Sequence, residues 1–421
     1  MVAAGTGINL ALGVLYSWSI FKGAIQKELG VSGGFAWDPA ALNDPYAICC
    51  LVFALAMIPA GRVQDRFGPR RAAMIGGGLV GLGFILASLS NAYLAWVAGF
   101  GVLAGTGIAF GYAAATPAAL KWFPPHRSGR IAGIVVAGFG LASLYIAPLS
   151  QYLLSNYGLR QAMLFYGIAF PLVVCAFAQL LINPPPEYRP AGFVERRKRC
   201  PDGQRKRAII NDLEATPAEV LRTPLFWVLW LLYFIGAGAG LMVIGSMAGM
   251  AKSSMGTNAF LAVAILAVGN AGGRVAAGML SDAIGRKKTL LLIFAAQAGL
   301  MFLAASLIGR EAGAWLILLL ATGIGFNYGA NLALFPAYAK DLWGMKNFGV
   351  NYGLMFTAWG VGGLLLSRFS QLLEVVSGGY RASFILAGMI LCLGTVAALL
   401  MRDRKEELRR AVKRQAAQAA I

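Results

Sequence analysis

Twelve apolar stretches, each close to the length of a membrane-spanning helix, constrain the fold of this chain more than any other feature. A helix rises about 1.5 Å per residue, so a hydrocarbon core of about 30 Å takes roughly 20 apolar residues. The stretches lie at residues 2–25, 45–63, 72–90, 93–119, 131–153, 162–183, 224–250, 258–280, 289–309, 313–338, 347–372 and 381–401. This pattern predicts an all-α integral membrane protein with twelve transmembrane helices.

The composition excludes a soluble protein. Hydrophobic residues make up 58% of the 421 residues and charged residues only 13%, which is too little charge to cover a soluble globule of this size. The formal net charge is +19, but the basic residues fall in short clusters between the apolar stretches. We therefore expect a lipid bilayer, and not nucleic acid, as the partner of this charge.

The basic clusters also predict which way the chain crosses the membrane. They follow the second, fourth and eighth stretches and the last one, whereas the opposite loops carry mostly single charges. By the positive-inside rule both termini are cytoplasmic. The first stretch is long enough to span and lacks a cleavage-site pattern, so we expect a span rather than a signal peptide, in the inner membrane of a prokaryote.

A change of composition divides the chain into two halves. Between Asn183 and Thr223 the sequence turns to consecutive prolines and then to a run of basic residues. We predict an N-terminal six-helix bundle at 1–183, a cytoplasmic linker at 184–223, a C-terminal six-helix bundle at 224–401 and a basic cytoplasmic tail at 402–421. The basic run of the linker is interpreted as a solvated topology signal, with contact to anionic lipid as the alternative.

An internal repeat relates the two halves. The same residue types recur at the same spacing after the second and eighth stretches: Gly61, Asp65 and Gly68, and Gly278, Asp282 and Gly285. Basic residues, Arg66 and Arg286 among them, accompany both sets. The pattern predicts that an aspartate ends each helix, that a glycine with positive φ makes a tight turn, and that the cations pair with the aspartate or with helix C-terminal carbonyls.

In these two loops the chain resembles the major facilitator superfamily, whose signature G-x-x-x-D-R-x-G-R-[KR]-x-[GR] they approach. The resemblance implies two pseudo-symmetric six-helix bundles, related by an axis along the membrane normal, in a monomer. It also implies that substrate binds between the bundles near mid-membrane and is moved by alternating access. Six residues would then form a conformational latch and contact no substrate: Gly61, Asp65, Arg66, Gly68, Asp282 and Arg286.

Arg274 is the one ionisable side chain near the middle of a predicted span, and Asn270 lies one helical turn before it on the same face. Even lenient insertion scales put an arginine near a helix centre at about +2.5 to 3.5 kcal/mol. Two interpretations remain open, namely snorkelling or helix packing on the one hand and anion binding in a watery cavity on the other. The planar guanidinium matches a carboxylate, and one positive charge calls for one negative charge, so the predicted ligand is a small monocarboxylate.

Polar and aromatic side chains of other spans are candidates for the wall of such a cavity. We expect Asn270 to donate to a hydroxyl or keto oxygen of the substrate, tyrosines to supply hydroxyls on an apolar wall, and bulky aromatic residues to restrict substrate size. These candidates are Tyr16, Tyr112, Tyr145 and Tyr328, and Phe335, Phe356 and Trp359. Packing or anchoring at the membrane interface is the alternative for the tyrosines.

Three segments resemble the oxalate/formate antiporter branch and the monocarboxylate transporters: Leu12–Ser19, the Asn270 and Arg274 pair, and Asn351–Leu354. In the oxalate carriers a lysine of the eleventh span joins the eighth-span arginine to hold a dianion, and Trp359 occupies that position here. In the animal monocarboxylate transporters an aspartate stands where this chain has Asn270, and it couples the proton to the substrate. The resemblance therefore implies a monoanion, with the proton bound to the Arg274–substrate assembly or to an edge group such as Asp44.

Together these features predict a secondary transporter that moves a monocarboxylate of the lactate or pyruvate class with a proton. An anion antiporter that exchanges a dicarboxylate for a monocarboxylate is the alternative, and it would need a second cation such as Arg368. A transporter-derived sensor is a further alternative. No span offers a nucleophile–base pair, a metal-ligand cluster or a nucleotide-binding loop, so we expect no enzyme, no cofactor and no metal site.

Overall fold

The computed structural model describes residues 1–30, 34–123, 128–185, 188, 215–244, 247–307, 314–344 and 347–401. Eleven helices in this part of the chain are long and apolar enough to cross a membrane. The longest, Ser128–Ala178, is interrupted at Gly158, where φ is 79° and ψ is 175°. A continuous helix of that length would extend roughly 75 Å at ~1.5 Å per residue, more than twice the thickness of a hydrocarbon core. It therefore counts as two spanning helices, and the all-α fold with twelve spans is confirmed.

The spanning helices are α1 (Val2–Lys27), α2 (Asp44–Phe67), α3 (Pro69–Leu89), α4 (Tyr93–Ala119), α5 (128–157), α6 (159–178), α7 (Pro224–Ile244), α8 (Phe260–Ile284), α9 (Arg286–Leu307), α10 (Ala314–Trp343), α11 (Phe348–Ser377) and α12 (Arg381–Leu400). Short helices lie at Pro39–Ala41, Pro217–Arg222 and Met247–Met255. The predicted seventh stretch runs to residue 250; residues 245 and 246 lie outside the described residues, and the helix Met247–Met255 follows them. We call the end of the bundle where α1 begins the terminal end, and the opposite end the far end.

Only part of the predicted linker, and none of the predicted tail, falls on described residues. In the linker Thr216 and Glu219 form a capping box at the start of the helix Pro217–Arg222. The backbone N–H of Thr216 donates to Glu219 Oε2 at 2.8 Å, and this hydrogen bond lowers the pKa of the Glu219 carboxyl. The basic run of the linker and residues 402–421 lie outside the described residues, and the proposed domain boundaries remain predictions.

The repeated glycines make equivalent turns in the two halves. Gly68 joins α2 to α3 with φ 87°, and Gly285 joins α8 to α9 with φ 94°. Such positive φ values are accessible to glycine without steric penalty, and in both places the next helix begins with the following residue. The sequence prediction of a positive-φ glycine at each turn is confirmed.

The charged residues beside these turns differ between the halves. Arg286 pairs with Asp282 at 2.7 Å and with Asp341 of α10 at 3.2 Å. In the first half the Arg66 guanidinium lies 5.4 Å from the centre of the Phe67 ring. The side chain of Asp65 lies outside the described residues. The role of these residues as a latch therefore remains a prediction.

Glycines bring α8 and α10 into backbone contact. A Cβ atom added at Gly273 would lie 1.9 Å from the carbonyl oxygen of Phe326, and one added at Gly329 would lie 1.9 Å from that of Asn270. No side chain larger than that of glycine fits at these two positions. Small residues spaced four apart along a helix are typical of such close contacts between membrane helices. The close approach sets the Asn270 and Arg274 face of α8 against the Tyr328 segment of α10.

Helices of the two halves also contact each other at both ends of the bundle. Near the terminal end a Cβ at Gly61 of α2 would lie 3.6 Å from the backbone of Gly349 in α11. At the far end Asp44 of α2 pairs with Arg368 of α11 at 2.6 Å. The same pair of helices, α2 and α11, therefore meets at both ends of the bundle.

A second charged contact joins the halves at the far end. Lys22 of α1 donates to Gln371 Oε1 at 2.7 Å and lies 3.7 Å from Glu374 Oε2, both on α11. Lys22 is buried, with 5% of its surface exposed. Together with the Asp44–Arg368 pair this contact joins the two halves at the far end.

The contact between Gly61 and Gly349 can be tested by cross-linking. A Cβ at Gly61 would lie 3.8 Å from Gly349 Cα, and a disulfide takes two Cβ atoms about 3.5–4.5 Å apart. In a background without the five native cysteines, we expect Gly61→Cys combined with Gly349→Cys to cross-link under mild oxidation. The bond would hold the two halves together on a gel after cleavage at a protease site inserted in the linker.

The control for this experiment pairs Gly78→Cys with Gly349→Cys, because a Cβ at Gly78 meets no atom within 4 Å. The control pair should separate after cleavage. Cross-linking of the control pair, or none in the test pair, would contradict the described packing.

Candidate functional site

Arg274 lies inside the helical bundle with 1% of its surface exposed. Its Nε donates to Asn270 Oδ1 at 3.0 Å, Nη1 donates to the backbone oxygen of Val136 on α5 at 2.7 Å, and Nη2 donates to Tyr16 Oη at 3.3 Å. All three acceptors are neutral, and none of the ion pairs between described residues includes Arg274. The structure thus buries a full positive charge without a negative partner in the described part of the chain, which argues against snorkelling.

Two tyrosine hydroxyls extend the hydrogen bonds of Arg274 toward α11. Tyr16 Oη and Tyr328 Oη are 2.8 Å apart, and Trp359 Nε1 donates to Tyr328 Oη at 2.8 Å. Tyr16 already accepts from the arginine and Tyr328 from the tryptophan, so one hydroxyl hydrogen occupies the bond between the two tyrosines. The second hydroxyl hydrogen has no acceptor among these groups, and it remains available to a bound anion.

The position of Tyr16 follows from a local tightening of α1. Residues Gly13–Ser17 form a 3₁₀ turn inside the helix. A Cβ at Gly13 would lie 2.4 Å from the backbone oxygen of Phe139, so α1 and α5 are in close contact there. The ring of Tyr16 packs edge-on against Phe139 with centroids 5.1 Å apart. Mid-helix 3₁₀ turns of this kind often mark functional positions.

Aromatic rings of the first half, which the sequence analysis missed, form much of the apolar wall. Phe139 lies 5.4 Å from Tyr112 between ring centroids, and its ring centre is 6.0 Å from Arg274 Cζ. Phe53 of α2 lies 5.1 Å from Phe356 and 5.2 Å from Trp359. Phe53 and Phe139 stand in ordinary apolar runs, where nothing in a single sequence separates a wall residue from a packing residue.

The structure brings most of the predicted wall residues together. Tyr112 is buried beside Phe139, and Phe356 stacks on Trp359 with centroids 4.8 Å apart. Phe335 is also buried, stacked at 4.2 Å on Tyr233. Their contact with a substrate remains a prediction.

Two candidate residues lie elsewhere. Tyr145 is 41% exposed, and its hydroxyl donates to the backbone oxygen of Leu10 at 3.1 Å, away from the Arg274 cluster. The wall prediction placed it with the other tyrosines because it stands in an apolar span, but it faces outward on α5. Arg368, the second cation that a dianion would require, is held at the far end by Asp44 and the Ala40 carbonyl.

The described residues contain no group of three His, Cys, Asp or Glu side chains that could hold a metal ion. The Arg274 cluster combines one fixed cation, neutral hydroxyl and amide groups and aromatic walls. Such a combination can hold a small anion and orient it.

The chain is similar to a known protein family and to several known proteins. The model of the Major Facilitator Superfamily matches residues 4–367 and 261–421. The chain is 29% identical to the oxalate:formate antiporter of Oxalobacter formigenes, over 82% of this chain and 77% of that protein. It is 29% identical to monocarboxylate transporter 11 of Homo sapiens, over 94% and 81%. It is also 28% identical to the uncharacterized MFS-type transporter YhjX of Escherichia coli, over 85% and 83%.

The hydrogen bonds around Tyr16 predict its effect on stability. Tyr16→Phe removes an acceptor of Arg274 and the partner of the Tyr328 hydroxyl, which leaves buried polar groups unpaired at about 1–3 kcal/mol. Tyr145→Phe is the matched control, because it deletes one hydrogen bond at an exposed position and should lose less than about 1 kcal/mol. Thermal unfolding of the purified variants in detergent measures both losses. Equal losses would show that the Tyr16 hydroxyl is not needed to pair the buried arginine.

Proposed function

Because the chain belongs to the Major Facilitator Superfamily, we propose that it is a secondary transporter that moves a small monocarboxylate of the lactate or pyruvate class together with a proton. The observation that carries this proposal is the buried Arg274 without a negative partner among the described residues. The curated relatives support the class of substrate, since two of them are an oxalate:formate antiporter and a monocarboxylate transporter.

The charge of Arg274 favours an anionic substrate. Burial of an unpaired ion costs several kcal/mol, and a bound carboxylate offsets that cost by supplying a counter-charge and hydrogen-bond acceptors. The hydroxyl hydrogen that the Tyr16 and Tyr328 pair leaves over gives the same carboxylate a neutral donor. An ammonium substrate would be repelled by the guanidinium, and an uncharged sugar would supply no counter-charge.

The number of cations favours a monoanion over a dicarboxylate. Two other cations of the described spans, Lys22 and Arg368, contact the opposite half. Each is paired with an acidic or amide side chain at the far end. Trp359 occupies the position where the oxalate carriers place a lysine. A second carboxylate would therefore enter an aromatic wall without a partner.

Proton coupling is the second part of the proposal. Asn270 is neutral, and the Arg274 cluster holds no carboxylic acid among the described residues. We expect the proton to bind the Arg274–substrate assembly or Asp44 at the far end. Uptake by an Asp44→Asn variant distinguishes the two proton sites. If the proton binds Asp44, the variant loses its response to a proton gradient. If the proton binds the Arg274–substrate assembly, the variant keeps that response.

The remaining parts of the proposal concern the setting of the protein. We expect a monomer in the inner membrane of a prokaryote, with both termini in the cytoplasm. The terminal end of the bundle then faces the cytoplasm, and the far end faces outward.

Uptake of labelled L-lactate into proteoliposomes tests the role of Arg274. We expect wild-type proteoliposomes to accumulate lactate when an inward proton gradient is imposed. This accumulation should stop when a protonophore is added. Arg274→Ala should abolish uptake, and Arg274→Lys should lower the affinity at least about tenfold, because an ammonium keeps the charge but loses the planar fork.

The matched control is Arg222→Lys, at an exposed position of the short helix Pro217–Arg222, and it should transport normally. Wild-type affinity in well-folded Arg274→Lys would count against this arginine as the carboxylate anchor. Uptake that requires an internal carboxylate and ignores the proton gradient would identify an exchanger instead.

A charge change at Asn270 gives a pH-dependent test. Asn270→Asp places a carboxylate beside Arg274 Nε, where Asn270 Oδ1 now accepts at 3.0 Å. The ionised aspartate competes with the substrate, so lactate affinity should be lower than in the wild type at neutral pH and should recover as the pH falls and the aspartate is protonated. Lactate affinity measured over a pH series checks this, and a pH-independent loss would contradict it.

A further inference from the structure

Three buried tyrosines, contributed by both halves, surround the ring of Phe356. Their ring centroids lie 6.0 Å (Tyr112, α4), 6.2 Å (Tyr233, α7) and 5.6 Å (Tyr352, α11) from that of Phe356. We call this group the tyrosine shelf. Tyr112 was a predicted wall residue, whereas Tyr233 and Tyr352 were not predicted to belong to any site.

The tyrosine shelf is continuous with the Arg274 cluster. Tyr112 packs edge-on against Phe139 with ring centroids 5.4 Å apart, and the centre of the Phe139 ring lies 6.0 Å from Arg274 Cζ. On its other side Phe356 stacks on Trp359. A molecule bound to Arg274 therefore borders the tyrosine shelf through Tyr112.

Two hydroxyls of the tyrosine shelf have no partner of ordinary hydrogen-bond geometry. Tyr233 Oη and Tyr352 Oη are buried, and neither makes a hydrogen bond within the described part of the chain. A buried hydroxyl without a partner costs about 1–3 kcal/mol, which phenylalanine at the same position would avoid. Asn270 Nδ2 is likewise buried and makes no hydrogen bond within the described part of the chain. These unpaired groups point to a ligand that supplies the missing hydrogen bonds.

We propose that the tyrosine shelf is an uncharged subsite that hydrogen-bonds the hydroxyl or keto oxygen of the substrate, while Arg274 holds its carboxylate. This inference rests on the proposed function and assigns recognition of the 2-hydroxy or 2-oxo group to Tyr233 and Tyr352. A hydroxyl group both donates and accepts. Asn270 Nδ2 can only donate to it, whereas a phenol can also accept its hydrogen or donate to a keto oxygen.

The test compares two substrates that differ by one hydroxyl, L-lactate and propionate. Tyr352→Phe and Tyr233→Phe should each reduce the affinity for lactate by about 3- to 10-fold, the effect of one net hydrogen bond. Affinity for propionate should stay the same, so the ratio of lactate to propionate affinity falls. Competition against labelled lactate uptake, or calorimetric titration of the purified protein, gives the ratio.

Tyr46→Phe is the matched control, because Tyr46 is equally buried but its hydroxyl already donates to the backbone oxygen of Leu241 at 3.1 Å. It should leave the substrate ratio unchanged. Thermal unfolding provides a second readout. Removing an unpaired hydroxyl should leave the melting temperature of Tyr233→Phe and Tyr352→Phe at or above that of the wild type, whereas a packing role predicts a decrease.

Either an equal loss of affinity for both acids or no loss for lactate would overturn the subsite. This failure is distinct from failure of the proposed function. If the wild type takes up both acids and depends on Arg274, the function stands whatever the tyrosine variants do. If neither acid is taken up, the function itself fails.

Discussion

The structure depends on the burial of one guanidinium. Arg274 has no anion beside it among the described residues, and it is stabilised by an amide, a backbone carbonyl and a phenol from three different helices. Neutral partners relieve the hydrogen-bonding demand of the guanidinium but leave its charge uncompensated. In the proposed function this uncompensated charge favours a negative ligand, and the aromatic wall limits the size of the anion.

Glycine positions decide where this charge lies. At Gly273 and Gly329 the backbones of α8 and α10 are so close that no side chain fits between them. The face of α8 that carries Asn270 and Arg274 therefore lies directly against the Tyr328 segment of α10. Since apolar side chains gain little by mutual burial in lipid, close backbone packing of this kind does much of the work of a soluble hydrophobic core.

Hydropathy predicted the twelve spans because a helix in lipid must form all its backbone hydrogen bonds internally and present apolar side chains. The repeated Gly68 and Gly285 predicted turns that require a positive φ. The eighth-span arginine stood out for the same reason, since few charges occur at mid-membrane. The aromatic residues carried no comparable signal. Phe139, Tyr233 and Tyr352 look like any apolar-run residue, and only the packing of the two halves shows which of them meet. Tyr145 was misplaced because a span gives the depth of a side chain but not the direction it faces.

The contacts between the two halves differ in kind between the two ends of the bundle. At the far end the halves are joined by ion pairs, Asp44 with Arg368 and Lys22 with Glu374, whereas near the terminal end Gly61 meets Gly349 by backbone contact. Separation of the ion pairs depends on the protonation of the two carboxylates, whereas the backbone contact of the glycines contains no titratable group. In the proposed transporter, the pH on the far side would therefore act directly on the ion pairs there and have no direct effect on the Gly61–Gly349 contact.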